Sequence, residues 1–99
     1  MDELYQALEL VCDEETFLQF LLALRDDRER SIAKELLSPS SPYGPDAGGW
    51  ENTTIERYLN AAVTWANASK NGLPLAGYSP PSNAWRRCAD ILCAAIVYE

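Results

Sequence analysis

The chain contains no histidine. That absence removes imidazole metal ligands and every Ser-His or Cys-His nucleophilic arrangement from consideration. Cysteine is scarce as well: Cys12, Cys88 and Cys93 are an odd number without the paired spacing of a disulfide framework. Two of them fall in an apolar helical pattern, so reduced, buried thiols are expected. Long apolar runs are missing, since the longest, Ile91 to Tyr98, is less than half of the roughly 20 residues that cross a bilayer. The opening Met1-Asp2-Glu3 lacks the basic stretch and apolar segment of a signal peptide, so a cytoplasmic location and no membrane partner are expected. Positive charge is in short supply. Eight Lys and Arg against 15 Asp and Glu leave a net charge of −7, and −6 of it lies in residues 1–37. An acidic field repels a phosphate backbone, so nucleic acid is not an expected partner, whereas a basic protein would be steered toward the N-terminal half.

What is present describes a small helical domain. Ninety-nine residues make one domain, residues 1–99, and bury roughly 60 to 65% of the unfolded surface, which allows one core and little room for a deep pocket. Hydrophobic residues at 47% and charged residues at 23% argue against a disordered chain. No internal repeat is visible.

Leu4, Leu8 and Val11 recur at helical spacing and predict a first helix over about 2–11. Asp13 stands as an N-cap, with Glu14 and Glu15 in the first turn of a second helix over 14–37. The charged run "RDDRERS" interrupts its apolar stripe, pointing only Arg28 toward the core. It allows either one helix with Asp26 and Arg30 paired at i, i+4, or a break near 28–31.

Residues 38–52 form a loop, rich in Pro, Gly and Ser up to residue 49. "TTIE" then reads as a capping box from Thr53 to Glu56, opening a third helix over 54–70 whose inward face is Ile55, Leu59, Ala62, Ala66 and Ser69. Asn71-Gly72 is expected to end it. A second loop covers 71–82. Ser82 is the expected cap of a last helix over 83–97, with Trp85, Cys88, Ala89, Leu92 and Ile96 inward. The expected fold is therefore all-α, a bundle of four helices, or five if the second breaks, around Leu8, Phe17, Leu21, Leu24, Ile55, Leu59, Trp65, Trp85, Leu92 and Ile96.

Two stretches, "GGWENTTIERYLNAAVTWA" and "AWRRCADILCAAIVYE", resemble a family of small bacterial domains of unknown function. The family pairs a Trp-Glu-Asn segment and a "T-[IL]-x-x-[FY]-L" helix with a C-terminal "W-R-x-x-A-x-I-L-x-A-x-x-Y-E", and "FLQFLLALRDD" matches its upstream helix. The family pattern runs more directly from the second helix into Trp-Glu-Asn; here the Pro/Gly stretch is inserted. The resemblance implies a compact helical domain and no established activity.

The residues alone single out Trp50, Glu51, Arg86, Arg87, Ile91 and Tyr98 as candidates for interaction. Trp50, three residues before the Thr53 cap, is either a staple on the helix that follows or an exposed hot spot. Arg86 or Arg87 could pair with Glu51, Glu56 or Glu99 and dock the loop on the last helix. Ile91, Ala94, Val97 and Tyr98 lie opposite the inward stripe, so that helix end is either enclosed or holds a partner, a second copy included. With no nucleotide, metal or nucleophile motif, no catalytic residue and no cofactor are expected. The chain reads as a non-enzymatic interaction or accessory module, with immunity-type binding of a basic protein as the concrete version. A small-molecule site lined by Trp50, Tyr58 and Trp85 is the alternative.

Overall fold

The computed structural model describes residues 2–39, 48–70 and 77–98, and all regular structure among them is helical. The helices are α1, Asp2–Glu9; α2, Glu14–Leu37; α3, Ile55–Lys70; and α4, Ala84–Ala94. The expected Asn71-Gly72 end of α3, most of the Pro/Gly loop and Glu99 lie outside the described residues.

Helix α1 stops two residues earlier than its stripe suggests, because the Leu10 and Val11 amides donate to Ala7 and Leu8 and tighten the last turn. Val11 is still buried. Asp13 caps α2 in a reciprocal box: its carboxylate accepts from the Thr16 amide at 2.9 Å, while the Thr16 hydroxyl oxygen accepts from the Asp13 amide at 3.1 Å. The Thr16 side-chain and backbone hydrogen bonds hold the Asp13 carboxyl below its ordinary range. From this cap α2 runs unbroken for 24 residues, through the charged run. The run does not break it because Asp27 and Ser31 face inward: the Asp27 carboxylate accepts from Trp50, and the small Ser31 side chain lets Gly48 pack against it. The anticipated Asp26–Arg30 pair is replaced. Asp26 pairs with Arg25 at 3.0 Å, and Arg30 reaches Asp27 at 3.6 Å and Glu3 at 3.4 Å.

Both later caps sit one residue beyond expectation. The Thr54 hydroxyl, not Thr53, accepts from the Arg57 amide at 3.3 Å, and Asn83, not Ser82, accepts from the Arg86 amide at 3.0 Å. Asn83 also donates to the Cys12 carbonyl, tying the start of α4 to the α1–α2 turn. Past Ala94, α4 passes into a turn over 95–97 rather than continuing as a helix.

The core is Leu4, Val11, Phe20, Trp50, Ala89 and Ile96, with Phe17, Leu21, Leu24, Tyr58 and Leu92 partly buried against it. A second contact, Ala61 and Ala62 against Ala95, lets α3 approach α4 closely, with Tyr58 and Ile91 packed alongside. This choice rotates α3 away from the expected orientation. Ile55 and Leu59 are 76% and 53% exposed; Ala62 and Ser69 are buried as expected, and Tyr58, Ala61 and Trp65 join them on the inward side. Trp85, also expected in the core, is 38% exposed and rests on Phe17 with ring centroids 5.5 Å apart. Cys12 and Cys88 are exposed and only Cys93 is half-buried, so burial of the thiols is corrected for two of the three. α1 packs on α2 and α4, and α4 on α2 and α3, whereas α2 and α3 share no close backbone contact.

Candidate functional site

Because α2 and α3 share no close backbone contact, the segment between them sets their separation. Trp50 is 5% exposed, and its indole N–H donates to the Asp27 carboxylate at 2.8 Å, which fixes the segment to α2. Two residues on, the Asn52 side-chain amide donates to the carbonyls of Ala95 and Tyr98, each at 2.8 Å. The Glu51 and Asn52 amides both donate to the Ile96 carbonyl at 3.1 Å. A helix C-terminus leaves its last carbonyls without partners, and here the Trp-Glu-Asn segment supplies them to α4. Tyr58 adds α3 to the assembly. Its ring stacks on Trp50 at 5.7 Å and its hydroxyl donates to the Leu92 carbonyl at 2.5 Å. Burial raises the Tyr58 phenol well above its ordinary range, with the neighbouring Cys93 adding to the effect, so the phenol remains a donor.

On its outer side this clasp floors a groove of about 300 Å³. Leu21 and Leu24 of α2 form one wall and Ile55 of α3 the other, with Trp50 and Tyr58 between them. Arg25 and Arg28 stand on the α2 rim; the Arg28 guanidinium lies 5.3 Å from the centre of the Trp50 ring and donates to the Thr53 carbonyl at 3.4 Å. Exposed apolar side chains flank the groove: Leu18 and Leu22 on α2, and Ile55, Leu59 and Val63 at successive i, i+4 positions on α3. Behind the clasp lies a polar hollow of about 390 Å³, which brings Glu51 and Tyr98 together with Arg57 and Asn60. A third hollow, about 230 Å³, is bounded by Tyr5, Trp65, Tyr78 and Asp90.

The sequence-selected candidates therefore separate into several places. Trp50 is a buried anchor that shows one face to the groove. Glu51 and Tyr98 share the polar hollow. Arg86 binds Asp90 within its own helix at 2.9 Å, so the loop-docking role expected of it is not seen among the described residues. Arg87 is the docking arginine instead: it donates to the Ala66 carbonyl at 3.0 Å and to the Tyr78 hydroxyl at 3.2 Å, and its guanidinium packs over Trp65 and Tyr78. Ile91 is enclosed between α3 and α4. Sequence reasoning did not single out the groove residues Arg25, Arg28 and Ile55, nor the exposed Leu18, Leu22 and Leu59, as surface candidates. The readable signal was that α3 carries two apolar stripes, one of large and one of small side chains.

Among the described residues no group of three His, Cys, Asp or Glu side chains converges as a metal site, and no helix is long and apolar enough to cross a membrane. Burial, and then the Asp90 and Asp27 carboxylates, push the Cys93 thiol up to about 11. What the groove offers is apolar surface with a basic rim.

Residues 13–99 match the family of unknown function DUF7660, and the chain belongs to that family. The match begins at the α2 cap and takes in α2, α3, α4 and the clasp. No curated protein and no solved structure matches it.

Proposed function

We propose that this chain is a non-enzymatic interaction module of the bacterial cytoplasm that receives a protein partner on the α2–α3 face. The observation that carries the reading is the exposed stripe Ile55, Leu59 and Val63, at 76%, 53% and 62%, beside an open apolar groove. Apolar side chains in a contiguous exposed patch mark contact surfaces far more often than the same residues scattered singly. The finer reading is an immunity-type protein that neutralises a basic partner. Its support is the row of exposed acids Glu3, Glu9, Asp13, Glu14 and Glu15 on α1 and the start of α2, away from the groove. Those charges would speed association and weaken with salt, while the groove would supply salt-insensitive affinity. Nucleic acid and membrane are not proposed as partners. Self-association through the last helix would use Val97, which is 47% exposed at its end.

The test compares capture of partners from a lysate by the wild-type chain and by Ile55→Asp and Leu59→Asp variants at low and high salt. Both residues are exposed, so the variants should melt like the wild type and lose the captured partner. Capture that survives both substitutions would end the reading, and capture indifferent to salt would end its basic-partner version. A second reading, a small-molecule site, is favoured by the stacked Trp50 and Tyr58 in a cavity of about 300 Å³, at the small end of ligand sites.

A further inference from the structure

We infer that the polar hollow behind the clasp is a binding site for a free α-amino acid, whose ammonium meets Glu51 and whose carboxylate meets Arg57. The hollow and the α2–α3 groove share only Asn52 among their described lining residues, so the site goes beyond the contact reading and does not depend on it. The first support is the pairing of the arginines. Of the six in the chain, five are held. Arg25 meets Asp26, Arg30 meets Asp27 and Glu3, and Arg86 meets Asp90. Arg28 is bound to the Thr53 carbonyl over the Trp50 ring, and Arg87 to the Ala66 carbonyl and the Tyr78 hydroxyl. The Arg57 side chain makes no ion pair or hydrogen bond among the described residues. Neither does the Glu51 carboxylate, although both side chains line the same hollow.

A guanidinium and a carboxylate that border one space without meeting suit a ligand that carries both opposite charges. An anion alone would face Glu51, and a cation alone would face Arg57; a zwitterion answers both. The planar guanidinium fork matches a carboxylate with two parallel hydrogen bonds. The frame that carries the two charges is already fixed. The Glu51 amide donates to the Ile96 carbonyl at 3.1 Å, and Ala61, which floors the hollow from α3, is packed against Ala95. Binding therefore has side chains to order but no backbone, which limits its entropic cost. The remaining lining favours a small polar ligand. Asn60 brings a carboxamide with no hydrogen bond among the described residues, and the Thr64 hydroxyl donates to the Asn60 carbonyl at 2.9 Å, leaving its oxygen to accept. A volume of about 390 Å³ lies within the range of small-ligand sites.

The test titrates the full chain with L-serine, with N-acetyl-L-serine, which lacks the ammonium, and with L-serinamide, which lacks the carboxylate. Binding is followed by NMR on the Asn60 side-chain amide and the Arg57 Nε–H. L-serine should shift both signals with a Kd of about 1 mM or tighter. Each derivative should bind at least about tenfold more weakly, as expected for loss of a charge-assisted contact. Arg57→Gln should weaken L-serine by a similar factor and leave L-serinamide unchanged, while Glu51→Gln should weaken L-serine and leave N-acetyl-L-serine unchanged. Neither side chain takes part in the clasp, so both variants should melt like the wild type. Absence of L-serine binding overturns the inference, as does equal binding of the three compounds. Arg57→Gln weakening L-serine and L-serinamide alike overturns it too, because the guanidinium would then not be reading the carboxylate. Partner capture lost in Ile55→Asp and retained in Arg57→Gln would keep the α2–α3 surface separate from the fate of this site.

Discussion

Truncating Trp50 should remove a large fraction of the stability of this domain. A domain of this size is stable by about 5–15 kcal/mol. The indole is 5% exposed, stacks on Tyr58 and donates its N–H to Asp27, itself 5% exposed. Trp50→Ala loses the packed ring, about 3–5 kcal/mol for a large-to-small core change. It also loses a hydrogen bond to a charged acceptor, about 1.5–3 kcal/mol. Some relaxation is expected, so a total of about 4–6 kcal/mol is the working value. Trp50→Phe separates the two contributions, because it keeps a ring on the groove floor and removes only the donor; it should cost about 2–3 kcal/mol. Urea unfolding followed by far-UV circular dichroism measures both. Pairing Trp50→Phe with Asp27→Ala closes a double-mutant cycle. Asp27 also meets Arg30 at 3.6 Å, and that contact is lost in both arms carrying Asp27→Ala and cancels. A coupling of about 1.5 kcal/mol or more is expected. Coupling near zero, with Trp50→Ala costing under about 1 kcal/mol, would refute the clasp and return Trp50 to the role of a surface contact.

Further outcomes rest on the same packing. A Cβ on Gly48 would stand 2.6 Å from the Ser31 Cβ, so Gly48→Ala should cost about 1–3 kcal/mol in thermal unfolding. Ser31→Ala should be neutral or stabilising, since its buried hydroxyl has no partner among the described residues. Cys12 and Cys88 are exposed and Cys93 half-buried with its thiol pushed up to about 11, so a disulfide reagent should label two thiols fast and the third slowly; three equal rates would contradict this. Folding raises Cys93 above its ordinary 9.0 and Tyr58 above its ordinary 10.0, which means that the fold prefers their protonated forms. Stability should therefore hold below about pH 9 and fall as pH rises toward 11 and beyond, read as a falling urea midpoint. Tyr58→Phe should flatten the upper part of that fall.

The number of helices and the Asp13 cap were legible because they rest on spacing and local chemistry. Adjacent capping residues defeated the later boundaries. Thr53 and Thr54, or Ser82 and Asn83, offer equivalent acceptors, and the choice depends on where the chain arrives from, which only tertiary structure sets. The inward face of α3 was misread for a different reason. A hydrophobic scale ranks Ile55 and Leu59 above Ala61, but close approach to Ala95 selects small side chains, Ala61 beside the expected Ala62, and the larger ones are left outside. The interrupted stripe of α2 had its cause elsewhere in the chain: Asp27 and Ser31 can face inward because Trp50 and Gly48 come back to meet them. Arg86 and Arg87 are neighbours about 100° apart around a helix, so periodicity could not say which of them docks and which pairs with Asp90.

The clasp also bears on how any binding defect should be read. Trp50 joins α2 to the segment, Asn52 joins the segment to the end of α4, and Tyr58 joins α3 to both. Since α2 and α3 share no close backbone contact, the width of the groove between them is set by these residues rather than by packing of one helix on the other. A Trp50 variant would thus lose a partner even if Trp50 never touched it, because the two walls would no longer be held apart at the right distance. Ile55 and Leu59 are different. They line or flank the groove, are more than half exposed and take no part in the clasp, so their substitution changes the surface without changing its frame. Loss of binding in Ile55→Asp at unchanged stability is therefore the observation that separates a contact surface from a scaffold, and Trp50, Asn52 and Tyr58, which hold the frame, are the wrong residues with which to look for it.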